Sequence, residues 1–135
     1  MGNSSYLGYA ADTRMHFFTE HGFALVRFAS EKFGPVMARD ELVYRIELRL
    51  MDEFTVDLEL VGLSANGSRF KVRNAFRTIS EVVAASVTSE GVWFDLERRR
   101  PRIPPSDLDA LMRALRHAKD FAEISDKLQS SSESP

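Results

Sequence analysis

The first third of the chain has the hydrophobic pattern of helices. Over residues 4–20, apolar side chains occur around much of a helical circumference, which predicts a buried helix. His21 and Gly22 mark its end. A shorter helix is predicted over residues 23–32, before Pro35. The polar residues that can cap the start of the long helix are Asn3, Ser4 and Ser5.

From Val36 onward the pattern changes to the alternation of strands. Residues 54–63 and 69–79 flank the turn residues 65–67, which predicts a hairpin. A three-residue loop with Gly67 in the left-handed conformation sorts the apolar residues onto one face better than a two-residue loop does. The preferred register pairs Ser64 with Ser68, Glu59 with Arg73, Val61 with Lys71, and Gly62 with Phe70.

The same register directs Asn74 inward on an otherwise apolar face. A further strand is predicted over residues 82–96, followed by a basic turn over 97–102. Ser106 is predicted to cap a last helix, with Asp109 at the capping-box position. The apolar stripe of that helix comprises Leu108, Leu111, Met112 and Leu115.

This order of elements predicts an α+β domain in which a curved antiparallel sheet wraps the long helix. With 135 residues, the chain is expected to form one domain over residues 1–128. The polar tail, residues 129–135, is predicted to be disordered.

Composition narrows the function. The formal charge of −2, from 18 basic and 20 acidic residues, gives no reason to expect nucleic acid as a partner. The lack of cysteine excludes disulfides, thiolate metal sites and a cysteine nucleophile. No apolar run reaches the roughly 20 residues that span a membrane. The start of the chain does not have the pattern of a signal peptide. We therefore expect a soluble cytoplasmic domain, with no metal site among its three scattered histidines.

Several segments resemble the hotdog-fold acyl-CoA thioesterases of the 4-hydroxybenzoyl-CoA thioesterase type. Residues 2–7, Gly-Asn-Ser-Ser-Tyr-Leu, resemble that family's N-N-x-x-Y-L motif, and residues 12–14, Asp-Thr-Arg, resemble the triplet that ends its helix. Residues 52–56 resemble a strand of the family, and residues 92–104 resemble its last strand and exit. Together the resemblance covers residues 2–105.

One departure from the family concerns its acidic residue. The chain starts after the position of the family's Asp and first strand, so either the sequence is a shortened form or the protein works without that acid. Hotdog thioesterases of enediyne pathways resemble the second case and use Asn, Tyr and Arg around the same helix. Tyr6 and Arg14 match two of these positions.

The resemblance implies a hotdog fold and hydrolysis of an acyl thioester of CoA or acyl carrier protein by water. It also implies a homodimer or homotetramer with active sites between subunits, and no metal or organic cofactor. The N-terminus of the long helix would polarise the thioester carbonyl, because free N–H groups and the helix dipole favour an oxyanion.

The resemblance also suggests roles for individual residues. The catalytic candidates are Tyr6, Arg14 and Asn3, and the substrate-binding candidates are Ser5, Leu7, Asn74, Arg98 and Arg100. Each has a structural alternative. Tyr6 can be a core residue, Arg14 can form an ion pair across a dimer interface, and Asn74 can make a buried structural hydrogen bond. Arg98 and Arg100 can lie on a solvated loop without binding the phosphates of CoA.

Two other functions stay open at this point. A non-catalytic hotdog domain that binds acyl chains fits the missing acid, since Asp12 and His16 are weak candidates for a general base. A small-ligand α+β domain of the cystatin-like type fits the order of elements. It does not explain the matches at residues 2–7 and 93–104.

Overall fold

The computed structural model describes residues 2–49 and 52–125, which form three helices and seven strands. The helices are α1 (Asn3–Glu20), α2 (Val26–Ser30) and α3 (Ser106–Ala114). The strands are β1 (Phe33–Tyr44), β2 (Phe54–Val56), β3 (Glu59–Ser64), β4 (Arg69–Thr78), β5 (Val83–Asp95), β6 (Arg100–Pro101) and β7 (His117–Ile124). The predicted tail, residues 129–135, lies outside the described residues.

The strands form one sheet in the order β1-β5-β4-β3-β7, with β2 beside β4 and β6 beside β5. The predicted α+β arrangement of a long helix and a sheet is confirmed. The sheet is antiparallel as predicted except at β7, which pairs with β3 in parallel. This strand, which the sequence analysis did not predict, begins at His117, shortly after α3. The pattern of β7 did not reveal a strand because Ala118 is its one buried apolar residue.

Helix α1 is buried along one face only, because the sheet covers one side of it. Four residues spaced one turn apart are buried: Tyr6, Ala10, Arg14 and Phe18. Tyr9, in contrast, is 46% exposed. The prediction that this helix is buried around most of its circumference is therefore wrong for the single chain.

The predicted caps of both long helices are also wrong. The N-cap of α1 is Gly2, which has no side chain, and its carbonyl oxygen accepts hydrogen bonds from the N–H groups of Ser5 and Tyr6. The N-cap of α3 is Pro105, so Ser106 is already helical. The Asp109 carboxylate, which was predicted to close a capping box with Ser106, accepts a hydrogen bond from Arg113 Nε at 2.7 Å.

The first strand begins earlier than predicted. β1 includes Gly34 and Pro35, where the sequence indicated a break, and α2 is correspondingly short. A proline lacks the N–H that a central strand needs, but an edge strand tolerates it. β1 lies at the edge of the sheet, which explains why Pro35 fits there.

The hairpin register is confirmed in its lower part and wrong near the turn. Glu59 pairs with Arg73 as predicted, but a bulge between Leu60 and Gly62 then shifts the register by one residue. Gly62 therefore pairs with Lys71, and the turn has four residues, 65–68. The predicted left-handed conformation of Gly67 is confirmed, with φ of 79°.

The core consists of two apolar clusters along α1. The first contains Phe18 and Trp93 together with the buried face of α3. The second contains Tyr6, Ala10 and Phe76 at the N-terminal half of the helix.

Candidate active site

A buried arginine on α1 is the centre of a polar network in the apolar core. Arg14 is 8% exposed. Its Nε donates to Asn74 Oδ1 at 2.9 Å, and its Nη2 donates to Ser89 Oγ at 2.7 Å. The Ser89 hydroxyl donates in turn to Asp40 Oδ1. Arg14 thereby contacts β4 and β5, and the chain of hydrogen bonds continues to β1.

Strand pairing brings these partners together. Asp40 on β1 lies opposite Ser89 on β5, and Ser89 lies opposite Val72 on β4. Asn74 follows two residues after Val72, on the same face. The guanidinium of Arg14 therefore meets two polar side chains that point to one side of the sheet.

The inward direction predicted for Asn74 is confirmed, because this residue is fully buried. Its Oδ1 accepts from Arg14, and its Nδ2 donates to the Asp57 carbonyl oxygen at 3.0 Å. Both ends of the amide are thus bonded to protein atoms. In this structure Asn74 orients Arg14. A contact of Asn74 with substrate stays a prediction.

Burial lowers the pKa of the Arg14 guanidinium, because removal from water disfavours the charged form, while the negative charge of Asp40 acts in the opposite direction. The usual value for arginine is so high that the group keeps its charge at neutral pH. Its two hydrogen-bonded nitrogens fix its orientation. Nη1 is the remaining nitrogen, and no described residue accepts from it.

A narrow apolar pocket lies beside Arg14, between α1, the sheet and α3. The cavity itself is small, about 20 Å³, which is room for about one water molecule, and it is partly open to solvent. Among the described residues that line it, Arg14 carries the one charge. The apolar lining residues are Met15, Phe18, Pro35, Met37, Leu58, Phe70, Val72, Trp93, Met112 and Leu115. The Trp93 Nε1 group is buried and has no hydrogen-bond partner among the described residues.

The other predicted residues of α1 lie in a different environment. Tyr6 is fully buried against Tyr44 and Phe76, with ring centroids 5.3 and 5.0 Å away. Its hydroxyl has no hydrogen-bond partner in the described part of the chain. Ser5 is exposed and Leu7 half-buried. The side chain of Asn3 lies outside the described part of the structure.

The distance along the helix separates these residues from Arg14. Eight residues at 1.5 Å each place Tyr6 about 12 Å from Arg14 along the helix axis. The structure therefore does not bring the predicted residues of α1 into one site. Tyr6 belongs to the second apolar cluster, and Arg14 belongs to the pocket.

The predicted basic residues after β5 lie on the surface. Arg98 and Arg100 are exposed, and neither lines the pocket beside Arg14. The turn between β5 and β6 is held by Asp95, whose Oδ1 accepts the N–H groups of Glu97 and Arg98. The hydrogen bond from the Arg98 N–H is the main cause that lowers the pKa of Asp95.

Sequence reasoning did not identify Ser89 and Asp40. Ser89 was recognisable as a polar residue in a strand rich in valine and alanine, but Asp40 is an exposed residue of an edge strand and has no such signal. Within residues 2–49 and 52–125, no group of three side chains suited to metal binding comes together. No helix in the same ranges is long and apolar enough to cross a membrane.

The fold and the arrangement of α1 against the sheet define a hotdog-type α+β domain. The sequence profile of the thioesterase-like superfamily matches residues 1–115, and the chain belongs to this superfamily. No protein of curated function matches the sequence significantly.

Solved structures with the same fold include a Staphylococcus aureus protein in complex with CoA, which is 18% identical with a TM-score of 0.76 over 93% of this chain and 77% of that one. A gentisyl-coenzyme A thioesterase is 19% identical, with a TM-score of 0.70 and coverage of 84% and 86%. A 1,4-dihydroxy-2-naphthoyl-CoA thioesterase from Synechocystis is 15% identical, with a TM-score of 0.74 and coverage of 87% and 86%. At these identities the likeness establishes the fold.

Proposed function

We propose that this protein hydrolyses an acyl thioester of CoA or of an acyl carrier protein, with the thioester carbonyl at Arg14 and the acyl group against the apolar residues beside it. Membership of the thioesterase-like superfamily supports thioester hydrolysis. The proposed position of the reaction rests on one observation. Arg14 is a buried cation that Asn74 and Ser89 hold in place on the wall of an apolar pocket. An acyl thioester has the matching form, an apolar chain that ends in a polar carbonyl.

The chemistry needs a group that stabilises negative charge. Water adds to the thioester carbonyl carbon, the carbonyl oxygen becomes an oxyanion, and the carbon–sulfur bond then breaks to release the acid and the thiol. The unused Nη1 of Arg14 is the proposed donor to this oxygen, because a fixed cation in an apolar site stabilises developing charge strongly. A guanidinium does not accept a proton, so activation of the water is not assigned to Arg14.

The N-terminus of α1 is the other proposed position for the carbonyl, with Asn3, Ser5, Tyr6 and Leu7 around it. Against this position, the N–H groups of Ser5 and Tyr6 already donate to the Gly2 carbonyl oxygen. In its favour, the buried Tyr6 hydroxyl is unpaired and is available as a donor. We favour Arg14 because its charge is fixed by two hydrogen bonds and lies beside an apolar lining.

The substrate carrier and the assembly are further parts of the proposal. Arg98 and Arg100 are exposed on a basic turn, where they could hold the phosphates of CoA or of phosphopantetheine. A homodimer or homotetramer is supported by the exposed apolar residues of the edge strand β1, which include Val36 and Tyr44. Light scattering after size-exclusion chromatography measures the assembly directly.

The test is thiol release from a panel of acyl-CoA substrates, followed with a thiol-reactive dye. The chain has no cysteine, so it contributes no background of its own. We expect turnover that co-purifies with the protein and is lost in Arg14→Met. Turnover of carrier-bound substrates alone would assign the carrier protein in place of CoA.

A second candidate function is acyl binding without hydrolysis. It is favoured by the pocket lining, which has no carboxylate, histidine or hydroxyl group among the described residues. Saturable binding of acyl-CoA without release of thiol from any substrate would support this function and contradict the hydrolase.

A further inference from the structure

Asp57 lies in a short break between two strands of the sheet. β2 ends at Val56 and β3 begins at Glu59, so neither strand includes residues 57 and 58. The strand pairs on either side of the break keep one register, and they are Val56 with Phe76 and Glu59 with Arg73. Asp57 therefore lies opposite Ala75 of β4.

The side chain of Asp57 takes part in the backbone hydrogen bonding of the sheet. Two residues that form a hydrogen-bonded pair of an antiparallel ladder exchange two bonds from N–H to carbonyl. The first of these bonds is present, because the Asp57 N–H donates to the Ala75 carbonyl oxygen at 3.0 Å. In place of the second, the Ala75 N–H donates at 3.0 Å to the Asp57 carboxylate oxygen Oδ1. The carboxylate thus replaces the backbone carbonyl of its own residue in the sheet.

The backbone carbonyl that this exchange releases is bonded to the buried network. The Asp57 carbonyl oxygen accepts from Asn74 Nδ2 at 3.0 Å. An amide whose Nδ2 group is held in this way directs its oxygen to the other side. There the Asn74 Oδ1 atom accepts from Arg14 Nε at 2.9 Å. A continuous chain of contacts therefore joins Asp57 to the guanidinium of Arg14.

The opposite orientation of the Asn74 amide is unfavourable at both ends. It would place the amide oxygen against the Asp57 carbonyl oxygen, and the Nδ2 group against Arg14 Nε, which can only donate. Asn74 is fully buried, so unpaired groups at these contacts would be costly. The direction of the Asp57 carbonyl therefore decides whether Asn74 can accept from Arg14.

The other oxygen of the Asp57 carboxylate faces the surface. Oδ2 accepts from Arg77 Nε at 2.9 Å and lies 3.5 Å from Arg116 Nη2. The side chains of Arg77 and Arg116 are 31% and 63% exposed, and ion pairs at such positions are screened by water. For the buried network, the acceptor oxygen Oδ1 therefore matters more than the charge of the carboxylate.

We propose that Asp57 is a positioning residue for Arg14. Its Oδ1 atom replaces the backbone carbonyl in the sheet, the released carbonyl fixes the Asn74 amide, and the amide fixes the Arg14 guanidinium. The consequence for hydrolysis rests on the proposed function, in which Nη1 of that guanidinium donates to the thioester oxygen. Asp57 itself touches no substrate and acts through Asn74.

The test is hydrogen exchange of the Arg14 Nε–H group, followed by NMR in the isotope-labelled full chain without substrate. The Arg14 signal is identified by its loss in Arg14→Lys. Trp93 is the single tryptophan and is buried in the core, so its indole N–H reports opening of the whole domain. The ratio of the two exchange rates separates a local change at Arg14 from a general loss of stability.

Two substitutions of Asp57 separate the acceptor oxygen from the charge. Asp57→Asn keeps an oxygen at the same reach and removes the charge, whereas Asp57→Glu keeps the charge and moves it one methylene further from the backbone. We expect the exchange ratio to stay within about threefold of the parent in Asp57→Asn and to rise about tenfold or more in Asp57→Glu, as the loss of a hydrogen bond implies. Glu59→Gln is the matched control, because it removes a nearby carboxylate that pairs with Arg73 and Arg116. The control should leave the ratio unchanged.

The outcomes distinguish positioning from an ordinary ion pair. Faster exchange in Asp57→Glu with protection kept in Asp57→Asn supports the inference. The reverse pattern would overturn it in favour of the ion pair with Arg77. Unchanged exchange in both variants, or an equal rise in Glu59→Gln, would also overturn it.

Kinetics test the proposed function separately. In a protein that releases thiol from acyl-CoA, Asp57→Glu should lower kcat and leave KM within about twofold, because an interaction of the transition state is lost. Absence of thiol release from every substrate would contradict the proposed function, whereas the exchange ratios would still decide whether Asp57 positions Arg14.

Discussion

The two halves of α1 bury polar groups in opposite ways. In the N-terminal half, the Tyr6 hydroxyl is enclosed in an apolar cluster and has no partner among the described residues. In the C-terminal half, the Arg14 guanidinium is also buried but donates to Asn74 and Ser89. Both residues lie on the buried face of one helix, so the helix does not explain the difference.

The strands that face α1 explain the difference between Tyr6 and Arg14. Opposite Tyr6, the paired residues of β4 and β5 are Phe76 and Ala85, which offer no acceptor. Further along the same strands come Asn74 and Ser89, which accept from Arg14, and the pocket opens there. Burial of a polar side chain is therefore a poor sign of a site by itself. A buried polar side chain that is hydrogen-bonded and lies beside a cavity is a better sign of a functional site.

Removal of the Arg14 charge should have the largest effect. We expect Arg14→Met to lower kcat/KM by about a hundredfold or more, because a fixed donor to an oxyanion is lost. It should also lower the free energy of unfolding by about 1–3 kcal/mol, since Asn74 and Ser89 lose their donor. Steady-state kinetics and urea unfolding measure the two effects separately.

The control for this variant is Arg39→Met, which removes an exposed arginine from β1. It should change neither the activity nor the stability appreciably. Retention of most of the activity in Arg14→Met would move the reaction away from the pocket and toward the N-terminus of α1.

A substitution in the hairpin turn should destabilise the part of the molecule that contains the pocket, because the turn packs against α3. We expect Gly67→Ala to cost about 2 kcal/mol of unfolding free energy, because Gly67 has a positive φ and contacts α3. Gly8→Ala is the opposite case, since Gly8 is exposed on α1 with open space around it. This control should stabilise the protein by about 0.5–1 kcal/mol. Equal effects of the two substitutions would contradict the described turn.

The Tyr6 hydroxyl provides a smaller and more selective test of the comparison. We expect Tyr6→Phe to raise the free energy of unfolding by about 1 kcal/mol, because a buried hydroxyl without a partner is costly. Activity should stay within about fivefold of the parent if Arg14 polarises the carbonyl. Tyr9→Phe, at an exposed position, should change neither quantity. A large loss of activity in Tyr6→Phe alone would assign the carbonyl to the N-terminus of α1.

Acid should weaken the contacts of α3 and β7. The Arg27 guanidinium lowers the pKa of Asp107, and the Arg73 guanidinium lowers the pKa of Asp120. These carboxylates bind protons less readily in the folded than in the unfolded state. Their stabilisation is therefore complete above the unfolded pKa of about 3.9 and is lost as the pH falls through the lower folded pKa.

Urea unfolding between pH 7 and pH 3 measures this decline. Asp107→Asn should be less stable than the parent at pH 7, and the difference should narrow as the pH falls toward 3. The effect is expected to be the smallest of the four, because these ion pairs are exposed and screened by solvent. Parallel pH profiles of parent and variant would contradict the role of Asp107.

Sequence patterns predicted the parts of the fold that depend on neighbours in the chain. The alternation in β4 predicted the inward direction of Asn74, and the turn residues predicted the conformation of Gly67. The bulge at residue 61, which shifts the pairing of β3 with both β4 and β7, was not predicted. A Cβ at Gly62 would lie 2.9 Å from the Ile124 side chain and 3.1 Å from the Ala122 carbonyl oxygen, so glycine favours this close approach of β7.

For the candidate site, the sequence alone determined that a polar helix residue, Arg14, and an inward amide, Asn74, belong to a domain of this fold. Only the tertiary structure decided that Arg14 meets Ser89, which lies 75 residues away, and that Tyr6 belongs to a separate cluster. The reason is physical. Periodicity records which face of an element is buried, whereas the partners on that face depend on strand order and register across the whole sheet.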